Sequence, residues 1–397
     1  MRFALVPLLA LAAAGCNTLA EPPAPPPLEN AQPQVTQSMP EQMASTDPAD
    51  SILFWSDERR SAAFRDMESL YPGIEVSPAS TPRVLEAGTP LDTKTTRQVL
   101  EFMTETQAAG LMVLKDGKVV FAGHALGMTP EDRWTSFSVA KSVTSTLLGA
   151  AVQDGSIPSL DVPVTDIVPQ LTGTAYDGVT VRQIATMTSG VAWNENYGDP
   201  DSDVAKMLTV APVAGESQVV TYARTLTREA PAGEKFVYKT LETNLLGLIV
   251  EEATGKSLAA YAADKIVGPA GFAGSLFWMQ DLTGGNIGGC CLSLTLADYA
   301  RFGQFALEGG RGVVPENWFA DAGAPQVDLG GGFGYGYQWW TYPGGQYGAQ
   351  GIFGQAITID PSRNLVVALV SNWPSATTSD YRNRFRTLVG QIAQSTD

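Results

Sequence analysis

The 397-residue chain is poor in histidine, in cysteine and in positive charge. Its one histidine, His124, leaves a single candidate for a histidine-centred metal site or a Ser-His-Asp triad. That residue falls on a predicted strand, "KVVFAGHAL", where a structural role is the simpler reading. Of the 3 cysteines, Cys290 and Cys291 are adjacent. Neighbouring Cα atoms lie about 3.8 Å apart across a trans peptide, below the usual disulfide range, so the pair reads as two small buried residues. A chain without a disulfide framework must rely on its core, and 44% hydrophobic composition is ample for one. Lys and Arg number 25 against 41 Asp and Glu, a net charge of −16. Phosphate backbones repel so acidic a surface, which argues against nucleic acid as a partner.

The third cysteine, Cys16, ends "MRFALVPLLALAAAGC". One positive charge, an apolar run too short to span a bilayer and small residues before the cysteine have the shape of a secretory signal. The ending "AAGC" resembles a bacterial lipoprotein processing site, so residues 1–16 are expected to be a signal peptide and Cys16 the lipidated residue. Residues 17–48 are rich in Pro, Gln and Ser and read as a disordered tether. The expected location is therefore the periplasm or cell envelope, with membrane attachment through the lipid alone.

A single folded domain is expected over 49–397. Ser56 can cap a helix through "DERRSAAFRDMESL", and Asp116-Gly117 marks a hairpin in "LMVLKDGKVVFAG". A long, almost uncharged helix containing Lys141 follows. Residues 155–290 then shift to short helices and long loops, a candidate mostly helical insertion. Strands return in "YGYQWWTY", "IFGQAITIDP" and "NLVVALVSN", and "DYRNRFRTLVGQIAQ" closes the chain as a helix with Phe385, Leu388, Val389 and Ile392 on one face. The expected fold is α/β (α+β): an antiparallel sheet built from both ends of the sequence and flanked by helices.

The chemistry is concentrated in this almost uncharged helix. Between Arg133 and Asp154 the only charged residue is Lys141, in "WTSFSVAKSVTSTLLGAAVQDG". A buried ammonium is costly unless paired or deprotonated. Ser138 lies three residues earlier, on the same helical face, and a neutral lysine can accept the proton of a serine nucleophile. At the start of a helix the Ser138 N–H is also placed to stabilise an oxyanion.

The stretch "SFSVAKSVTSTLLGAAVQDG" resembles the nucleophile helix of the serine β-lactamase and penicillin-binding protein superfamily, closest to the 6-aminohexanoate-dimer hydrolase and esterase branch. "MTSGVAWNENYGDPDSDV", "AGEKFVYKTLETNLLG", "GGCCLSLTLADYARFG" and "GIFGQAITIDP" extend the likeness. The resemblance implies a β-lactamase/transpeptidase-like fold and a serine hydrolase that needs no metal or organic cofactor, its partner being a small-molecule ester or amide. It implies that Tyr238 shares proton transfer with Lys141, that the amides of Ser138 and Ile352 form the oxyanion hole, and that Gly351 lets a strand approach the substrate. Tyr197 resembles a substrate-closing loop tyrosine, and Trp339 or Trp340 could line an apolar pocket. Two departures stand out. The family's cation on the third motif is absent from Ala349-Gln350, and Thr240 stands where many relatives carry asparagine. Both point away from a β-lactamase or D-alanyl-D-alanine carboxypeptidase and toward ester or linear-amide hydrolysis through an acyl-enzyme at Ser138. A non-catalytic lipid-anchored binding protein on the same fold is the alternative of another class.

Overall fold

The computed structural model describes residues 51–396 together with the strand Gln34–Thr36. The expected signal peptide, most of the expected tether and Cys16 lie outside the described residues. Residues 33–397 form one unit.

Its frame is an eight-stranded antiparallel sheet in the order β4-β3-β13-β12-β11-β10-β9-β8. Strands β3 (Ala108–Lys115) and β4 (Lys118–His124) come from the first third of the chain. The others are β8 (Val327–Gly330), β9 (Phe333–Tyr335), β10 (Trp340–Thr341), β11 (Tyr347–Gln350), β12 (Ala356–Asp360) and β13 (Leu365–Ser371). Pairing of β13 with β3 joins the two ends of the sequence, as expected. The β3–β4 hairpin turns at Asp116 and Gly117, both with positive φ (51° and 74°), the conformation that an Asp-Gly turn favours.

Strand β13 explains how the sheet is covered. Leu365, Val367 and Leu369 point to one face, under the helices Thr93–Glu105 (α2) and Ser379–Ser395 (α6). Val366, Ala368 and Val370 point to the other, toward Ala140–Gln153 (α3), Thr240–Thr254 (α4) and Leu296–Leu307 (α5). A strand buried on both sides reads as a continuous apolar run rather than an alternating one. Helix α6 buries Phe385, Leu388, Val389 and Ile392, the face read from its spacing. Helix α1 (Asp57–Ala63) starts at Ser56, whose hydroxyl accepts from the Arg59 amide at 3.4 Å.

A second antiparallel sheet was not foreseen. Its order is β1 (Gln34–Thr36), β2 (Gly73–Val76), β6 (Leu276–Met279), β7 (Leu292–Thr295) and β5 (Arg133–Thr135). Strand β6 therefore lies within the 155–290 segment, which otherwise holds short helices and α4. Among the described residues no helix is long and apolar enough to cross a membrane.

Candidate active site

Helix α3 enters from β5 through a single 3-10 turn, Phe137–Val139, that carries Ser138. Phe137 holds a left-handed backbone (φ 43°), an unusual conformation for a bulky residue and one often stored at functional sites. Its ring packs with Phe64 and Phe353, centroids 5.0 and 5.4 Å away. Apart from Lys141 the helix is uncharged because it is buried along nearly its whole length, and its small hydroxyls hold the surrounding loops. Ser142 donates to the Gln338 carbonyl at 2.8 Å, Ser145 to that of Tyr337 at 2.5 Å and Thr144 to that of Gly288 at 2.7 Å.

Lys141, 1% exposed, lies among oxygen atoms. Its Nζ is 3.0 Å from Ser138 Oγ, 2.9 Å from Thr240 Oγ1 and 2.8 Å from the Gly289 carbonyl. Burial lowers its pKa to about 8, while the nearby charge of Glu195 pulls it upward. Gly289 can reach this position because it lies against the first turn of α4. A Cβ there would stand 2.8 Å from the Thr240 carbonyl.

Tyr238 precedes α4 and is half-buried. Its ring centroid is 5.1 Å from Lys141 Nζ, and its hydroxyl shares a hydrogen bond with Ser138. Burial pushes its pKa well above the ordinary value and Glu195 adds to the rise, whereas Ser138 and Arg382 oppose it. The group is therefore a neutral phenol at any ordinary pH. Trp340 stacks on it, with ring centroids 5.6 Å apart and planes within 20°. Behind it, Lys239 and Glu242, both fully buried, pair at 3.4 Å, and Glu242 also accepts from Ser189. Burial raises Glu242 to about 7 even beside that lysine.

Gly351 follows β11 and approaches the Ser138 turn so closely that a Cβ would stand 2.6 Å from the Ser136 carbonyl. Neither the Ser138 amide nor the Ile352 amide donates to an acceptor among the described residues. Arg382, on α6, donates to the Gly351 carbonyl at 2.9 Å. That carbonyl and the Ile352 N–H belong to one planar peptide, so holding the first fixes the direction of the second. Burial lowers Arg382 to about 10.

Sequence reasoning missed Arg382 and also Glu195. The Glu195 carboxylate accepts from Thr240 N at 3.0 Å, from Tyr197 OH at 2.5 Å, and from the Thr240 hydroxyl and the Trp193 indole. It thus ties the "WNENY" loop to the lysine through Thr240. Its only sequence signal was its position between two aromatics in that loop.

The structure therefore brings together Ser138, Lys141, Tyr238, Thr240, Tyr197, Gly351 and Ile352, and places Trp340 behind Tyr238. Trp339 is corrected: it is fully buried among Phe302, Phe319 and Tyr347, in the core rather than in a substrate pocket. The reason is that "YGYQWWTY" is not one strand, since Gln338 (φ 63°) breaks it between β9 and β10. The cysteine pair is also corrected, for Cys290 and Cys291 are joined as a disulfide. Cys291 has φ 71°, so the chain leaves the extended form in which neighbouring side chains diverge. Among the described residues no three His, Cys, Asp or Glu side chains converge as a metal site.

Comparison with known proteins places this geometry in a family. The Beta-lactamase family model matches residues 96–391. A 6-aminohexanoate-dimer hydrolase of Paenarthrobacter ureafaciens is 30% identical over 346 residues, covering 80% of this chain and 86% of its own. A Bacillus anthracis structure assigned as a 6-aminohexanoate-dimer hydrolase superposes with a TM-score of 0.75 at 19% identity, over 84% of this chain and 93% of the other. A D-stereospecific amidohydrolase from Streptomyces sp. shares the fold at a TM-score of 0.58 and 20% identity, over 73% and 97% of the two chains. With its serine and lysine on one helical turn and its two antiparallel sheets flanked by helices, the chain belongs to the beta-lactamase family and is a serine hydrolase.

Proposed function

We propose that the protein cleaves an ester or a linear amide through an acyl-enzyme at Ser138. The observation that carries this reading is Lys141 Nζ at 3.0 Å from Ser138 Oγ, in a buried site with no carboxylate in direct contact. Ser138 Oγ attacks the carbonyl carbon as its proton passes to neutral Lys141. The oxyanion forms between the amides of Ser138 and Ile352. As the bond to the leaving oxygen or nitrogen breaks, that atom takes a proton from Tyr238, which Lys141 restores. Water then attacks the acyl-enzyme by the reverse proton path and frees Ser138. The high proton affinity of Tyr238 and the depressed one of Lys141 support this division of roles. The amide substrate named for the Paenarthrobacter relative supports a linear-amide activity.

The β-lactamase reading is weaker, because no Lys or His stands at Ala349-Gln350 and Gln350 instead donates to Tyr342 OH at 2.6 Å. A non-catalytic binding role would not require a serine, a lysine and two unpartnered amides in one place. The test is a fluorophosphonate probe followed by p-nitrophenyl butyrate and nitrocefin assays, with Ser138→Ala as control. Labelling of Ser138 and ester turnover, both lost in the variant, are expected, and nitrocefin should remain intact. Nitrocefin turnover would replace this reading with the β-lactamase one. We also propose that residues 1–16 are a signal peptide and that Cys16 carries the lipid that anchors the protein in the cell envelope. Cys16→Ala should move the protein from the detergent phase to the aqueous phase on Triton X-114 partition.

A further inference from the structure

A cavity of about 460 Å³ opens in front of Ser138. Ser138, Ile352, Tyr197 and Thr240 border it, and much of the remaining wall is apolar, including Ile52, Leu53, Met67, Val204, Met207 and Ile287. Among the described residues the charged ones of the wall are Asp201 and Lys206. They are largely exposed and pair with each other at 3.0 Å. Glu195, the carboxylate beside the reacting groups, has both oxygens occupied: one by Tyr197 and the Thr240 hydroxyl, the other by Trp193 and the Thr240 amide. Among the described residues a charged group inside the cavity would therefore find no counter-charge with a free hydrogen-bonding position, and a charge left unpaired in an apolar site is costly.

The cavity also has a direction. A leaving atom must face its proton donor, and Tyr238 is not part of this wall. Its ring lies against Trp340 and Tyr335 instead. The leaving group therefore departs on the Tyr238 side, and the portion that stays on Ser138 is directed into the cavity.

We propose that this cavity is the acyl subsite and that it selects an uncharged, unbranched aliphatic acyl group of medium length. This specificity rests on the acyl-enzyme reading at Ser138. At about 30 Å³ for a water-sized group, the cavity holds roughly fifteen such groups when filled to liquid density. Less complete filling gives an acyl chain of about six to ten carbons. Each methylene moved from water to the wall should raise kcat/KM about fourfold.

The experiment measures kcat/KM for p-nitrophenyl acetate through decanoate, alongside p-nitrophenyl 6-aminohexanoate and a series of butyrate esters from methanol to octanol. Rates should climb about threefold to fourfold per acyl methylene to six or more carbons. Hexanoate should exceed 6-aminohexanoate at least tenfold, and lengthening the alcohol should change little. Leu208 also lines the cavity, and Leu208→Trp, which narrows it, should move the optimum to shorter acyl chains. Turnover without acyl-length dependence, a faster 6-aminohexanoate ester, or a dependence on alcohol length would overturn the subsite while leaving the serine mechanism in place. Failure of every ester together with absence of fluorophosphonate labelling at Ser138 would overturn both.

Discussion

Glu195→Gln offers a direct view of how the site sets the proton affinity of its lysine. Lys141 Nζ donates to Thr240 Oγ1 at 2.9 Å, and the same hydroxyl donates to Glu195. Two hydrogen bonds in series put the ammonium and carboxylate charges ~5 Å apart. At an effective dielectric constant near 20 that separation is worth about 3 kcal/mol, or roughly two pKa units. Glu195 is half-buried, so solvent reduces the effect to about one unit. The sign follows from which form is stabilised. The carboxylate favours protonated Lys141, so removing its charge lowers a pKa that stands at about 8. The acid limb of kcat/KM should then move about one unit toward lower pH. The amide oxygen keeps the acceptor of the Thr240 and Tyr197 hydroxyls, whereas the amide nitrogen replaces the oxygen that accepts from Trp193 and the Thr240 N–H, so circular dichroism beside the titration checks that the variant folds. A pH titration of ester turnover between 5 and 10, beside the wild type, reads the shift. A purely structural role for Glu195 would lower the whole profile without moving its limb, and that outcome would refute the reasoning.

Two further expectations concern the proposed oxyanion hole. Arg382→Gln removes the charged donor from the Gly351 carbonyl. As a positioning residue it should lower kcat about tenfold to a hundredfold with KM nearly unchanged, and Arg382→Lys should restore part of the loss, below the full cost of deleting an oxyanion donor. Equal losses in kcat and KM for both variants would show that it only stabilises the fold. Gly351→Ala places a methyl 2.6 Å from the Ser136 carbonyl, so β11 and the Ser138 turn must separate. A loss of about a hundredfold in kcat/KM is expected for a displacement on the order of 1 Å, with the protein still folded by circular dichroism. Wild-type activity would mean that this approach does not set the site.

What could be read before folding was what the chain states locally. The Asp116-Gly117 hairpin, the buried face of α6 and the Ser138–Lys141 pair each lie within a few residues, where turn chemistry or a 3.6-residue repeat decides the outcome. The five-stranded sheet could not be read this way, because β2 finds its partner in β6 across about half of the chain and its four residues carry no pattern naming that partner. The same distinction divides the site. Ser138 and Lys141 share one turn, but the groups that tune them arrive from elsewhere: Glu195 from a loop, Arg382 from the last helix, and the Gly289 carbonyl from the strand connection before β7. Each acts through something that composition does not display, respectively a charge relayed by a hydroxyl, the orientation of one peptide plane and a backbone oxygen. The lysine looked anomalous in the sequence because these partners were invisible there. Its apolar helix excludes water and depresses its pKa, while Thr240 and the Gly289 carbonyl, both from distant segments, fix where its amine stands relative to Ser138. A base of the kind proposed for Lys141 is therefore a property of the packed core rather than of its motif, so changes at Glu195 or Arg382, far from Ser138 in sequence, should alter turnover even though the Ser-x-x-Lys pair is untouched.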